Sequence, residues 1–154
     1  MKKDKLIFSK INELLVSNVE TEKKFLYMLD RVDHTLLKNF LRVSGYQRSQ
    51  FVKALDNHLR QKGSTPVYPD DTSDDLDLNL ELRKALADND YIFALSKIGK
   101  IQIDDIERYK RALNNLEFSE NGEDLLMEQL DKLIKSLYSI EVYKDLISRN
   151  PVSA

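Results

Sequence analysis

The side chains in this sequence best suited to metal or redox chemistry are carboxylates and two histidines. A pair of iron ions inside a helical bundle takes a Glu from each of two helices and a Glu-x-x-His from each of the other two. The histidines here are His34 and His58, and the residues three positions ahead of them are Arg31 and Leu55, so neither completes that motif. Glu22 is the clear carboxylate near the middle of a helix, with Glu141 and Glu107 as the other carboxylates for an unusual ligand set. Gln47, Gln50 and Gln102 are neutral amides and cannot balance the charge of two iron ions. No metal, catalytic or cofactor-binding residue is therefore expected. If iron is bound after all, Glu22, Glu141 and Glu107 are its expected ligands.

Other chemistries lack their residues. No cysteine is present, which removes disulfides, thiolate metal sites, iron–sulfur ligation and cysteine nucleophiles and suits a reducing cytoplasm. No Gly-rich phosphate loop or nucleophile elbow occurs. Asp70, Asp71, Asp74, Asp75 and Asp77 lack the Gly and terminal Glu of a calcium loop, and fit a solvated linker with negative charge at a helix start. Basic and acidic residues, 24 against 26, are interspersed and give a net charge of -2, so no nucleic-acid footprint is visible. No run approaches the roughly 18 apolar residues of a membrane span. The basic start, Met1 to Lys5, is followed by Ser9, Lys10, Asn12 and Glu13 rather than by the apolar core of a signal peptide.

What must position these side chains is a set of helices. With 154 residues, 4 Gly and 3 Pro, the chain suits a single all-α domain over 1–154. Apolar residues recur on one helix face from about Lys5 to Val32 (Ile7, Ile11, Leu14, Leu15, Phe25, Leu29). A short break at Asp33 and His34 leads to a second helix carrying Leu37, Phe40, Leu41, Phe51, Leu55 and Leu59, stopped at Lys62 and Gly63, and the short connection makes it antiparallel to the first. Pro66 and Pro69 mark a linker at about 63–74, followed by a short crossover helix at about 75–88. Asn89 or Asp90 starts a third long helix through Leu95, Ile98, Ile106, Tyr109 and Leu116. A fourth follows Ser119 to Gly122 and closes before Pro151. Two long helices, a linker with a short extra helix, and two more long helices make the order of a ferritin-like four-helix bundle with one crossover.

Along the inward stripes, polar side chains fall near the helix midpoints: Asn18 and Glu22 on the first helix, Ser44 and Gln47 on the second, Gln102 on the third and Tyr138 on the fourth, with Glu141 one turn on. They are expected to meet in one central polar layer. Because a buried polar group without a partner costs about 1–3 kcal/mol, such a layer must be either a hydrogen-bonded network that sets helix register or a ligand site, for which Gln47, Gln102 and Tyr138 would be the lining.

The chain also resembles an uncharacterised bacterial ferritin-like family, a domain of unknown function, over roughly Ile11 to Asp145. The resemblance is carried by Ile11-Asn12-Glu13-Leu14-Leu15, Glu22-Lys23-Lys24-Phe25, Gln47-Arg48-Ser49-Gln50-Phe51, Lys62-Gly63 and Tyr109-Lys110-Arg111-Ala112-Leu113. Family members carry Glu where Glu22 stands, Glu in place of Gln47 and at about Gln102, and often His near Tyr138. The resemblance thus implies a ferritin-like fold and a stress-related origin, with the di-iron ligands degenerate. The expected function is that of a non-catalytic, cytoplasmic interaction or stress-associated protein, as a homodimer or with another protein partner. Leu26, Ile101, Ile103 and Val142 lie off the main stripes and are available for such an interface. The alternative is a metal-dependent oxidase or iron-handling protein.

Overall fold

In α1, Lys2–Leu29, buried residues follow at intervals of three and four (Ile11, Leu14, Leu15, Asn18, Thr21, Phe25, Met28), which is the spacing that keeps side chains on one face of a helix. The same periodicity builds α2, Thr35–Gln61, α4, Tyr91–Asn115, and α5, Glu120–Arg149, with the shorter α3, Leu80–Ala87, between α2 and α4. These helices come from a computed structural model that describes residues 2–70 and 80–149. Among the described residues there is no strand, and no helix is long and apolar enough to cross a membrane.

Local chemistry sets the helix ends. His34 caps α2 through its ring, whose Nδ1 accepts a hydrogen bond from the Leu36 N–H at 3.2 Å. At the other end Gly63 has φ 84°, and the N–H groups of Gly63 and Ser64 donate to the carbonyls of Arg60 and Leu59, the paired bonds of a Schellman motif that a Cβ-free residue adopts without strain. Asn89, at φ 58°, closes α3 in the same way through Asp90 N–H to Ala85 C=O. Asp90 then caps α4 by accepting from the Phe93 N–H. The fourth long helix starts earlier than its glycine suggested: Ser119 caps it, and Gly122 lies inside the first turn, with its N–H bonded to the Ser119 hydroxyl. The expected start of the crossover helix at about Asp75 lies outside the described residues; from Leu80 onward it is helical, with Leu82, Ala85 and Leu86 buried.

Two apolar clusters give the helix directions. One gathers Phe25 and Met28 from the end of α1, Leu37, Phe40 and Leu41 from the start of α2, Leu95 and Ile98 from the start of α4, Ile140 and Ile147 from the end of α5, and α3. The other gathers Ile11, Leu14 and Leu15, Phe51, Leu55 and Leu59, Ile106 and Ala112, and Leu126 and Leu133. Hence α1 and α5 point one way, α2 and α4 the other. The packed neighbours are α1 with α2 and α4, and α5 with α2 and α4, each pair antiparallel. Gln61 ends at one pole while α3 sits at the opposite pole, about 40 Å away by the length of a 27-residue helix. The first part of this crossing lies against α1 and α2: the Asn12 side-chain amide exchanges two hydrogen bonds with the Val67 backbone, and the Tyr68 hydroxyl donates to Asp56 at 2.5 Å.

Candidate functional site

Between the two apolar clusters lies a layer of polar side chains. On α2 the buried stripe Leu37, Leu41, Ser44, Arg48, Phe51, Leu55 carries one charged member, and the guanidinium of Arg48 is 1% exposed. On α4 the stripe Ile98, Gln102, Asp105, Tyr109, Ala112 carries another, Asp105. Removing both charges from water costs several kcal/mol per ion, a cost that only close pairing and further hydrogen bonds offset. Both are present. Arg48 Nη1 donates to Asp105 Oδ2 at 2.6 Å and to Asn18 Oδ1 at 2.9 Å, and Arg48 Nη2 donates to Gln102 Oε1. The ring of Phe25 lies 5.9 Å from the guanidinium carbon, and the Nε–H of Arg48 is buried without an acceptor.

Asp105 is the only buried carboxylate among the described residues, and its oxygens are fully engaged. Oδ1 accepts from Ser17 at 2.9 Å and from the half-exposed Arg108 at 2.9 Å; Oδ2 accepts from Thr21 at 3.3 Å in addition to Arg48. Asn18 passes the network on, donating to the Leu14 carbonyl and to the Tyr109 hydroxyl at 2.8 Å each. The Tyr109 hydroxyl donates in turn to Gln129 Oε1 at 2.6 Å, and Gln129 donates to the Phe51 carbonyl. Burial pushes the Tyr109 phenol far above its ordinary range, so the hydroxyl keeps its proton and acts as a fixed relay. Gln102 donates to Ser136 on α5 at 2.8 Å. All four long helices are thus joined by one network with a guanidinium at its centre.

The residues expected in one central layer fall in different places. Asn18 and Gln102 are fully buried members of the network, and Ser44 is buried beside the groove between α2 and α5, which Gln47 also lines. Glu22 is only half-buried; that partial burial raises its carboxyl above the usual range, opposed by the attraction of Lys53 on α2. Tyr138 is 70% exposed, on the outer side of α5, and does not join the layer. The reason is helix phase: α5 buries Leu126, Gln129, Leu133, Ile140 and Ile147, and position 138 falls opposite that stripe. Gln47, Gln102 and Tyr138 therefore do not line one pocket. Glu107 and Glu141 are both exposed, and among the described residues no three His, Cys, Asp or Glu side chains lie close enough together to hold a metal ion.

Among the members missed from sequence are Arg48, Asp105, Tyr109 as a polar partner, Gln129 and the side chains of Ser17, Thr21, Arg108 and Ser136. The signal was present for two of them. Choosing Gln47 for the α2 stripe placed the face one residue out of phase, whereas Leu41, Leu55 and Leu59 together put Arg48 inward. Asp105 lies three residues from Gln102 and four from Tyr109, which keeps it on their face. The residues of this layer do not fit a di-iron centre, since their single carboxylate is already held by two guanidinium groups and two hydroxyls. No protein-family model matches the chain, and no curated protein matches it.

Proposed function

We propose that the chain is a ferritin-like four-helix bundle that works without a di-iron centre, as a non-catalytic interaction or stress-associated protein of the cytoplasm. Three features support the fold: every packed neighbour among the long helices is antiparallel, α2 and α4 run in the same direction, and Gln61 and α3 lie at opposite poles. A single long crossover between the second and third long helices is the ferritin-like connection. The observation that carries the functional reading is Arg48. A guanidinium takes the central place between four helices, and its partner carboxylate has no coordination capacity left for a cation. A register-setting network and metal chemistry call for different residues at that layer, and here every oxygen of the buried carboxylate is taken by a hydrogen bond.

The test is iron content per chain after loading with ferrous iron under anaerobic conditions and desalting. Iron at background level is expected. About two irons retained per chain would overturn the reading in favour of an oxidase or iron-handling protein, and Glu22 would be the first residue to mutate. The proposed homodimer is tested by sedimentation, where a pure monomer at low micromolar concentration counts against it and in favour of a different protein partner.

A further inference from the structure

Arg108 stands at the edge of the buried network, with one arm of its guanidinium fork in use. Its Nη1 donates to Asp105 Oδ1 at 2.9 Å and to the Ser17 hydroxyl at 3.0 Å. A guanidinium has five N–H donors in a rigid plane, so fixing one arm on a buried carboxylate aims the remaining Nη2 and Nε donors. They belong to a side chain that is 51% exposed and that lines a groove of about 600 Å³ between α1 and α4, within the range of small-molecule sites.

Short hydroxyl side chains, Ser17 and Thr21, line the α1 side of the groove, and both are committed to Asp105. Its walls are cationic. Lys24 from α1 and Arg111, one turn beyond Arg108 on α4, make no ion pair among the described residues, while Glu20 is the one wall carboxylate not already paired. Lys10 and Glu13 neutralise each other at 2.7 Å. Behind the wall, Asp105 is shared between two guanidinium groups, so the network itself carries an excess positive charge. A preoriented fork, a second unpaired arginine on the same helix face and a lysine opposite suit the planar oxygens of a phosphate or carboxylate.

We infer that the α1–α4 groove binds a small anionic ligand through phosphate or carboxylate oxygens, with Arg108 and Arg111 as its principal contacts and Lys24 opposite. This site borders the central layer through Arg108, and its test does not depend on the iron content of the chain.

The experiment is calorimetric titration of the full chain with phenyl phosphate, citrate and inorganic phosphate at fixed ionic strength, accompanied by NMR of the arginine Nε–H signals. Saturable binding of at least one of these with movement of the Arg108 and Arg111 signals is expected. Loss of a charge-assisted contact in Arg111→Gln should weaken it about tenfold or more, without a change in thermal stability, since Arg111 holds nothing in the fold. Arg108→Gln should weaken binding likewise, and because Arg108 also holds Asp105, circular dichroism checks that the helices persist. Lys135→Gln, on the opposite side of the molecule, should leave the affinity unchanged. No saturable binding of any of the three anions at millimolar concentration overturns the proposal, as does binding that Arg111→Gln and Arg108→Gln leave intact. Binding of polyglutamate with none of the small anions also overturns it, in favour of an acidic protein partner.

Discussion

The two apolar clusters and the polar layer between them are built on the same four helices, yet they constrain the fold differently. The apolar clusters are held by burial, which is non-directional: Phe25, Leu41, Leu95 and Ile140 are all fully buried, but a neighbouring apolar residue of similar size satisfies the same surface. The layer around Arg48 is held by directional bonds from one helix to another. A slip of one residue on α4 would carry Asp105 away from Arg48 and leave both charges buried without partners. The apolar clusters are therefore expected to supply most of the free energy of folding, and the polar layer to select the register in which that energy is realised.

This contrast is breakable, and the largest effect is expected from Asp105→Ala. It leaves the Arg48 cation buried and uncompensated beside Arg108, and should destabilise the chain by about 3–5 kcal/mol in urea unfolding. The double replacement Arg48→Met with Asp105→Leu removes both charges at once, and should recover most of that loss while letting the helices sample more than one register, seen as broadened amide signals in NMR. If the double variant is as unstable as Asp105→Ala, the layer contributes energy rather than register and the contrast fails. Tyr109→Phe breaks the relay between Asn18 and Gln129 and leaves a buried Gln129 acceptor unpaired, at about 1–3 kcal/mol. Ile98→Val trims one buried methylene from the apolar cluster and should cost about 0.5–1.5 kcal/mol with no broadening.

The smallest expected effect concerns His58. Burial, assisted by the nearby Lys62 charge, holds its pKa below the ordinary 6.5, so the unfolded chain takes up the proton first. Stability should therefore fall as the pH drops below about 6.5 and should level off once the folded-state pKa has been passed. Comparing the wild-type chain with His58→Gln by thermal melts from pH 5 to pH 8 isolates this contribution; parallel melting curves for the two would show that His58 is not its source. In Glu22 the sign reverses, because burial raises its pKa and any contribution is lost as the pH rises, which is why the difference against His58→Gln, and not the raw profile, is the measurement.

Much of the helical pattern is legible in the sequence alone. The long helices follow from apolar spacing, because burial on one face requires a 3.6-residue period whatever the partner. The stop at Gly63 and the restart near Asn89 and Asp90 were legible because capping depends on the type of one or two residues: a glycine for the left-handed turn and an aspartate for a free N–H. The central site was harder. Asn18 and Gln102 stood out as amides on apolar stripes, but Arg48 and Asp105 read as surface charges, since a lone buried arginine is unfavourable and each is tolerable only in the presence of the other, 57 residues away. Tyr138 erred in the opposite sense: it belongs to an aromatic type common at core edges, and only the phase of α5 turns it outward.

The sequence by itself determined the long helices, the stops and starts set by Gly63 and Asp90, and an all-α class, because those depend on interactions within a turn or two of the chain. Which charges face each other was decided only by the tertiary structure. The pairing of Arg48 with Asp105, the aim of Arg108 into the α1–α4 groove and the exposure of Tyr138 all depend on how helices distant in sequence are rotated about their own axes. A rotation of one residue, about 100°, turns a buried position into an exposed one, and local spacing does not resolve that angle.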